Sequence, residues 1–216
     1  MIGVDLFLVL VVLTNLRLLA ATRLGASVRV AAAQGLLLGF LTLALHAGDL
    51  DARVATLAVL STAIKAGVFP WLLFRAMGRA HISRDLEPLV GSGVSMILAL
   101  VALGASFWLG GRLPLPHAVA SPLLVPAALF SIISGLFLLV NRRKAVSQVI
   151  GFIVLENGVF TFGIGVMEHT SLLVEAGVLL DVFVAVFVMG IAIFNIGREF
   201  DDIDTERLSA LKDYEE

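Results

Sequence analysis

The chain contains no cysteine. Disulfides, cysteine-ligated iron–sulfur clusters and thiolate zinc sites are therefore excluded within it, although this does not fix a compartment. Charge is also scarce: 15 % of the 216 residues are charged, where a water-soluble domain carries about 25 %. A net charge of −2 implies no nucleic-acid partner. There is no Gly-rich phosphate loop and no HExxH motif. His46, His81, His117 and His169 all fall at expected helix ends or in loops, and none is paired at i, i+4 with another ligand-type residue. Solvated interfacial imidazole is the better reading of each than a metal or haem ligand. The N-terminus lacks the basic stretch and small-residue cleavage site of a secretory signal, and its apolar run ends in Asn15 and Arg17, so it is read as a retained span.

What the chain has in abundance is apolar surface. Hydrophobic residues make up 59 %, and several apolar runs approach the roughly 20 residues that cross a hydrocarbon core. The fold class expected is all-α: a polytopic membrane protein of about seven transmembrane helices. The spans are read at residues 4–21, 30–47, 52–74, 88–109, 119–140, 146–167 and 172–196. Residues 198–216 are polar and acidic and read as a tail outside the membrane. The expected organisation is a four-helix part (1–118), a three-helix part (119–197) and the tail (198–216).

Lys and Arg in the loops set the orientation. Arg23 and Arg29 follow the first span, Arg75, Arg79 and Arg84 the third, and Arg142, Arg143 and Lys144 the fifth; Arg198, Arg207 and Lys212 lie in the tail. The opposite loops hold only Arg53 and Arg112. The N-terminus is expected outside and the tail in the cytoplasm.

Three ionisable residues sit where charge is expensive. Glu156 is mid-way along the sixth span, Asp181 mid-way along the seventh and Lys65 mid-way along the third. At about 1.5 Å per residue all three reach the midplane, at a cost of about 2.5 to 3.5 kcal/mol each for an isolated charge. Desolvation drives buried carboxylates and lysines toward neutrality, which suits proton exchange, so these residues are candidates for a proton path. The plainer reading is a buried ion pair, or a carboxylate held by backbone groups, with no transport. Glu156 and Asp181, on adjacent antiparallel helices, are placed to approach one another or to face a neighbouring chain.

The small residues near these charges also have two readings. Gly151, Gly158, Gly163 and Gly165 around Glu156 allow close helix packing or a bend or π-bulge in the sixth span. Gly177 and Ala185 leave room on the face of Asp181. Pro70 cannot donate to the carbonyl of Ala66 and must distort the third span beside Lys65. Glu175, near the outer end of the seventh span, is either an entry or exit group or a snorkelling surface residue. Asp5 and Arg17 read as interfacial, and Asn15, deeper, as a donor or acceptor between helices.

The segment Gly151-Phe152-Ile153-Val154-Leu155-Glu156-Asn157-Gly158, preceded by Arg142-Arg143-Lys144, resembles the signature helix of the K subunit of respiratory complex I. Leu173-Val174-Glu175-Ala176-Gly177-Val178-Leu179-Leu180-Asp181 resembles the second acidic helix of that subunit, whose acid is a glutamate; Asp181 departs from the pattern. Ile203-Asp204-Thr205 with Leu208, Leu211 and Lys212 resembles tails of the same family and of the C subunit of multisubunit cation/proton antiporters. Those subunits have three helices, matching residues from about 119 onward. With four further N-terminal helices, the whole chain looks most like the hydrogenase-4 component E family. Lys65-Ala66-Gly67-Val68-Phe69-Pro70-Trp71-Leu72 is similar to the lysine-bearing helix of large antiporter-like subunits.

The resemblance implies a membrane-arm subunit of a complex-I-like membrane-bound hydrogenase in a bacterial or archaeal cytoplasmic membrane. Its partners would be antiporter-like subunits, an H-like subunit and a peripheral hydrogenase arm. It implies no cofactor or catalytic site in this chain, with a nickel–iron centre and iron–sulfur clusters in partner subunits. Glu156, Asp181, Lys65 and Glu175 would contribute to the proton path. A subunit of a multisubunit sodium/proton antiporter and a purely structural membrane-arm subunit are the alternatives.

Overall fold

The computed structural model describes residues 2–45, 52–79, 89–115, 119–142 and 145–166. All regular structure among them is helical. The helices are α1 (Ile2–Leu19), α2 (Leu24–Leu45), α3 (Ala52–Ala63), α4 (Phe69–Arg79), α5 (Ser92–Gly110), α6 (Leu124–Asn141) and α7 (Ala145–Val166), with a π turn over Ile64–Val68 that joins α3 to α4 in one continuous rod. Five helical stretches are long and apolar enough to cross a membrane: Leu24–Leu45, Ala58–Arg75, Ser92–Gly110, Leu124–Asn141 and Val146–Gly165. They correspond to the second through sixth expected spans. The first is α1, an 18-residue helix carrying Asp5 and Arg17. The seventh lies outside the described residues, as do Asp181, Glu175, the tail and all four histidines.

Several boundaries differ from the sequence reading. α2 begins at Leu24, not at 30, so Arg29 lies within the helix and not in the preceding loop. Arg29 is exposed, and a long side chain near a helix end can carry its charge toward the interface while its backbone stays helical. The third span continues to Arg79. α6 begins at Leu124, leaving Pro122 outside and Pro126 in the first turn, where a missing N–H costs nothing. Ser121 Oγ accepts the Leu123 N–H at 3.1 Å and donates to Asp5 Oδ1 at 2.5 Å. That tie holds the start of α6 to α1.

α6 and α7 form an antiparallel hairpin and pack more extensively than any other helix pair among the described residues. Glycines make it possible. A Cβ at Gly151 would stand 2.7 Å from the Leu139 amide nitrogen, and one at Gly158 would stand 2.6 Å from the Ile132 amide nitrogen. Lipid tails are as apolar as leucine, so helices in a bilayer associate through such close packing and through hydrogen bonds. Of the two readings of the glycines, packing is what the structure shows: α7 is α-helical throughout Ala145–Val166. The π turn lies in the third span instead, directly before Pro70, where the ring removes a donor from the helix ladder.

α5 packs on α6 and α1 through a stripe of small residues, Ser95, Ala99 and Ser106, all buried. Its other side exposes Ile97, Val101 and Trp108. That surface suits a lipid environment. The interior divides into two apolar clusters. One gathers Leu18, Val28, Phe69, Phe130 and Val154; the other gathers Val11, Leu38, Leu124 and Phe160. On α1, α2 and α7, a polar residue interrupts the apolar sequence between the two clusters: Asn15, Gln34 and Asn157 respectively.

Candidate functional site: a buried ion pair in a polar layer

The site lies in that interruption. Lys65, in the π turn, is 3 % exposed, and Glu156, on α7, is fully buried. Lys65 Nζ donates to Glu156 Oε1 at 2.5 Å and to Asn157 Oδ1 at 3.3 Å. The ammonium also stands 4.6 Å from the centroid of the Phe160 ring, within reach of an attractive cation–π interaction. The Lys65 amine thus faces a carboxylate oxygen, an amide carbonyl and a ring face.

Local backbone structure brings the pair together. In the π turn the Phe69 N–H bonds to the carbonyl of Ile64, an i to i+5 step in place of i to i+4. Its backbone presses on α2 at Gly35. A Cβ there would stand 2.9 Å from Lys65 Cβ and 3.2 Å from the Lys65 carbonyl carbon. Only a glycine permits that distance, and Gln34 beside it is thereby carried into the same layer.

From the pair, hydrogen bonds continue across three more helices. Asn157 Nδ2 donates to Gln34 Oε1 at 3.2 Å. Gln34 Nε2 donates to Asn15 Oδ1 at 2.8 Å, Asn15 Nδ2 to Ser131 Oγ at 2.7 Å, and Ser131 Oγ to the Ala127 carbonyl at 2.8 Å. Every side chain in the series is buried. Asn15 makes the interhelical bond expected of it. Gln34, Asn157 and Ser131 were not read as functional. Gln34 and Asn157 could have been noticed as amides within apolar spans; Ser131, one serine among several, gives no such signal.

A second polar feature sits at the end of the bundle that carries the α1–α2 and α6–α7 turns. Arg142 is 4 % exposed. Its Nη2 donates to the Ala21 carbonyl at 3.2 Å, and its own carbonyl accepts from Gln148 Nε2 at 3.0 Å. Burial pushes its guanidinium pKa below the ordinary value. Arg142 Nη1 and Ser147 Oγ have no partner among the described residues. With Leu18, Ser27, Leu138 and Ile150 they line a cavity of about 10 Å³, room for about one water.

The sequence reading placed Lys65, Glu156 and Asp181 at one depth, with Glu156 and Asp181 able to approach one another or to face a neighbouring chain. The structure joins Glu156 to Lys65; Asp181 and Glu175 lie outside the described residues. Among the described residues no group of three or more His, Asp or Glu could hold a metal.

Helices of this length and apolarity are those of a polytopic helical membrane protein, and a buried lysine–glutamate pair lies among them. The chain belongs to the same family as the uncharacterized protein Rv0085 of Mycobacterium tuberculosis. The two are 32 % identical over 191 residues, 88 % of this chain and 87 % of that protein. It is also similar to Hydrogenase-4 component E of Escherichia coli strain K12 and of Shigella flexneri, at 29 % identity over 119 residues. That second likeness spans 55 % of this chain and 55 % of each of those relatives. No family model matches the chain, and no solved structure matches it.

Proposed function

We propose that this chain is a membrane-arm subunit of a complex-I-like, redox-driven ion pump of the membrane-bound hydrogenase type, and that Lys65 and Glu156 form a proton-exchanging pair within it. The observation that carries the reading is the 2.5 Å contact between two buried ionisable groups in a chain similar to Hydrogenase-4 component E. A charge pair held away from water is a weak stabiliser of a fold, and within a membrane ionisable groups commonly belong to ion pathways.

The chemistry of the pair is reciprocal. A proton arriving on the Glu156 carboxylate cancels the charge that faces Lys65. The ammonium is then drawn toward any other negative group in reach, and a charge change in a neighbouring subunit favours or opposes protonation of Glu156 through Lys65. Asp181 and Glu175, on the following expected span, would extend the path. The chain would hold no cofactor. Antiporter-like and H-like subunits would be its membrane neighbours, and a peripheral arm would carry the nickel–iron and iron–sulfur chemistry. The tail would face the cytoplasm.

The test is mass spectrometry of the detergent-solubilised complex purified through this chain. Recovery of a nickel–iron large subunit with antiporter-like chains supports the proposal. Recovery of cation-antiporter subunits alone would transfer the ion pair to a sodium/proton antiporter. A lone protein would overturn the subunit reading.

A further inference from the structure

The hydrogen-bond series between Lys65 and the Ala127 carbonyl has one direction, on which both ends agree: the Lys65 ammonium can only donate and the far end can only accept. The Ala127 carbonyl can only accept. Ser131 Oγ, 2.8 Å away, must spend its one proton there, and it meets Asn15 with a lone pair. Asn15 must therefore present its NH₂ to Ser131 at 2.7 Å and its carbonyl to Gln34 at 2.8 Å. Gln34 donates to that carbonyl, and its own carbonyl turns to Asn157 at 3.2 Å. Asn157 is left with its carbonyl toward Lys65, 3.3 Å from Nζ. Reversing any one amide would set two donors or two acceptors against each other in a buried layer, an arrangement that forfeits a hydrogen bond and strands a desolvated group.

We propose that Ser131, Asn15 and Gln34 are positioning residues for Lys65: they fix the orientation of the Asn157 side-chain amide, and Asn157 in turn holds the Lys65 ammonium against Glu156. This rests on the reading of Lys65 and Glu156 as the exchanging pair. None of the three touches either charged group in the hydrogen bonds described above. Being amides and a hydroxyl, they carry no titratable proton at physiological pH. Their part is to keep an acceptor pointed at the ammonium while the charge on Glu156 changes. The two apolar clusters that flank the layer leave these amides to satisfy one another.

The test is solid-state NMR of the full chain in bilayers, with ¹⁵Nζ-labelled lysine and ¹³C-labelled asparagine. The Lys65 resonance is assigned by its loss in Lys65→Arg. The wild-type chain should show a through-space correlation between Lys65 Nζ and the Asn157 side-chain carbonyl carbon. Ser131→Ala and Gln34→Met should each abolish it and shift the Nζ resonance, although the hydrogen bonds described for Ser131 and Gln34 go to other residues. Ser106→Ala is the control, because among the described residues that buried serine bonds within its own helix, to the Ala102 carbonyl at 2.7 Å; it should leave the correlation unchanged. A correlation that persists in both Ser131→Ala and Gln34→Met overturns the proposal, as does one lost equally in Ser106→Ala. Ser131→Ala removes a single oxygen, so it remains readable if Gln34→Met fails to fold. The measurement needs no turnover. A chain that fails to co-purify with a redox complex would thus refute the functional reading, whereas a correlation indifferent to Ser131 and Gln34 would refute the positioning, so the two failures are distinguishable.

Discussion

Lys65 and Glu156 are separated by 91 residues of sequence, yet Nζ and Oε1 stand 2.5 Å apart with both side chains out of reach of solvent. The pair ties the π turn of the third span to α7. Substitutions here probe both fold and function, and comparing them separates the two.

Removing one partner leaves an uncompensated charge in a desolvated layer. Lys65→Met alone should therefore destabilise the protein by about 3–5 kcal/mol. The double variant Lys65→Met/Glu156→Leu should recover most of that loss, since an apolar replacement of a whole buried pair is close to neutral. Denaturation midpoints of the purified protein in detergent, measured over the full double-mutant cycle, check this. A double variant as unstable as the single one would show that the two charges do not compensate each other.

Glu156→Gln keeps the shape and a hydrogen-bond acceptor while removing the exchangeable charge. On the proposed function, coupled ion translocation by the parent complex should fall strongly in this variant, while co-purification of its other subunits stays normal. Proton uptake into inverted membrane vesicles, paired with subunit mass spectrometry, reads the two effects separately. Normal pumping in Glu156→Gln would end the relay idea.

The α6–α7 hairpin depends on missing side chains. Gly158→Ala places a methyl 2.6 Å from the Ile132 amide nitrogen and 2.9 Å from Ser131 Cβ, so it should cost about 1–3 kcal/mol by overpacking. Gly104→Ala on α5 meets nothing within 4 Å and should be neutral or stabilising by about 0.5–1 kcal/mol, because alanine favours a helix interior. A thermal-unfolding comparison of the two variants decides between packing and mere composition as the reason for these glycines.

Gly35→Ala tests the close approach that sets Lys65 in the layer. Its methyl would meet Lys65 Cβ at 2.9 Å and must push α2 away from the π turn. On the proposed function, a loss of coupled translocation comparable to that of Glu156→Gln is expected, although Gly35 carries no side chain. A fully active Gly35→Ala variant would mean that the layer tolerates displacement.

Because the chain has no native cysteine, a single introduced thiol reports topology without background. Lys212→Cys should react with an impermeant maleimide in inverted vesicles and not in intact spheroplasts. Asp49→Cys should show the opposite pattern. Labelling of both from one side would refute the orientation inferred from loop charge.

Much of the architecture could be read without coordinates, because a bilayer core permits few backbone arrangements. A backbone in hydrocarbon must satisfy its own hydrogen bonds, so apolar runs of sufficient length had to be helices, and the second to sixth expected spans are helices. The expense of burying charge drew attention to Lys65 and Glu156 for the same reason. Boundaries shifted where a side chain could reconcile a polar residue with a helical backbone, as at Arg29, and where the backbone accommodated Pro70 by a π turn.

Sequence alone determined that these helices form, that they suit a membrane, and that ionisable groups lie at shared depth. Each of these follows from local composition and from the rise of a helix. Which groups meet was decided only by tertiary packing. Gly35 brings the π turn against α2, Gly151 and Gly158 bring α7 against α6, and the amides of Asn15, Gln34 and Asn157 find one another between two apolar clusters. Depth along a helix is fixed by counting residues. Direction around a helix, and so the choice of Lys65 as the partner of Glu156, depends on which neighbours pack closely enough to exclude everything else.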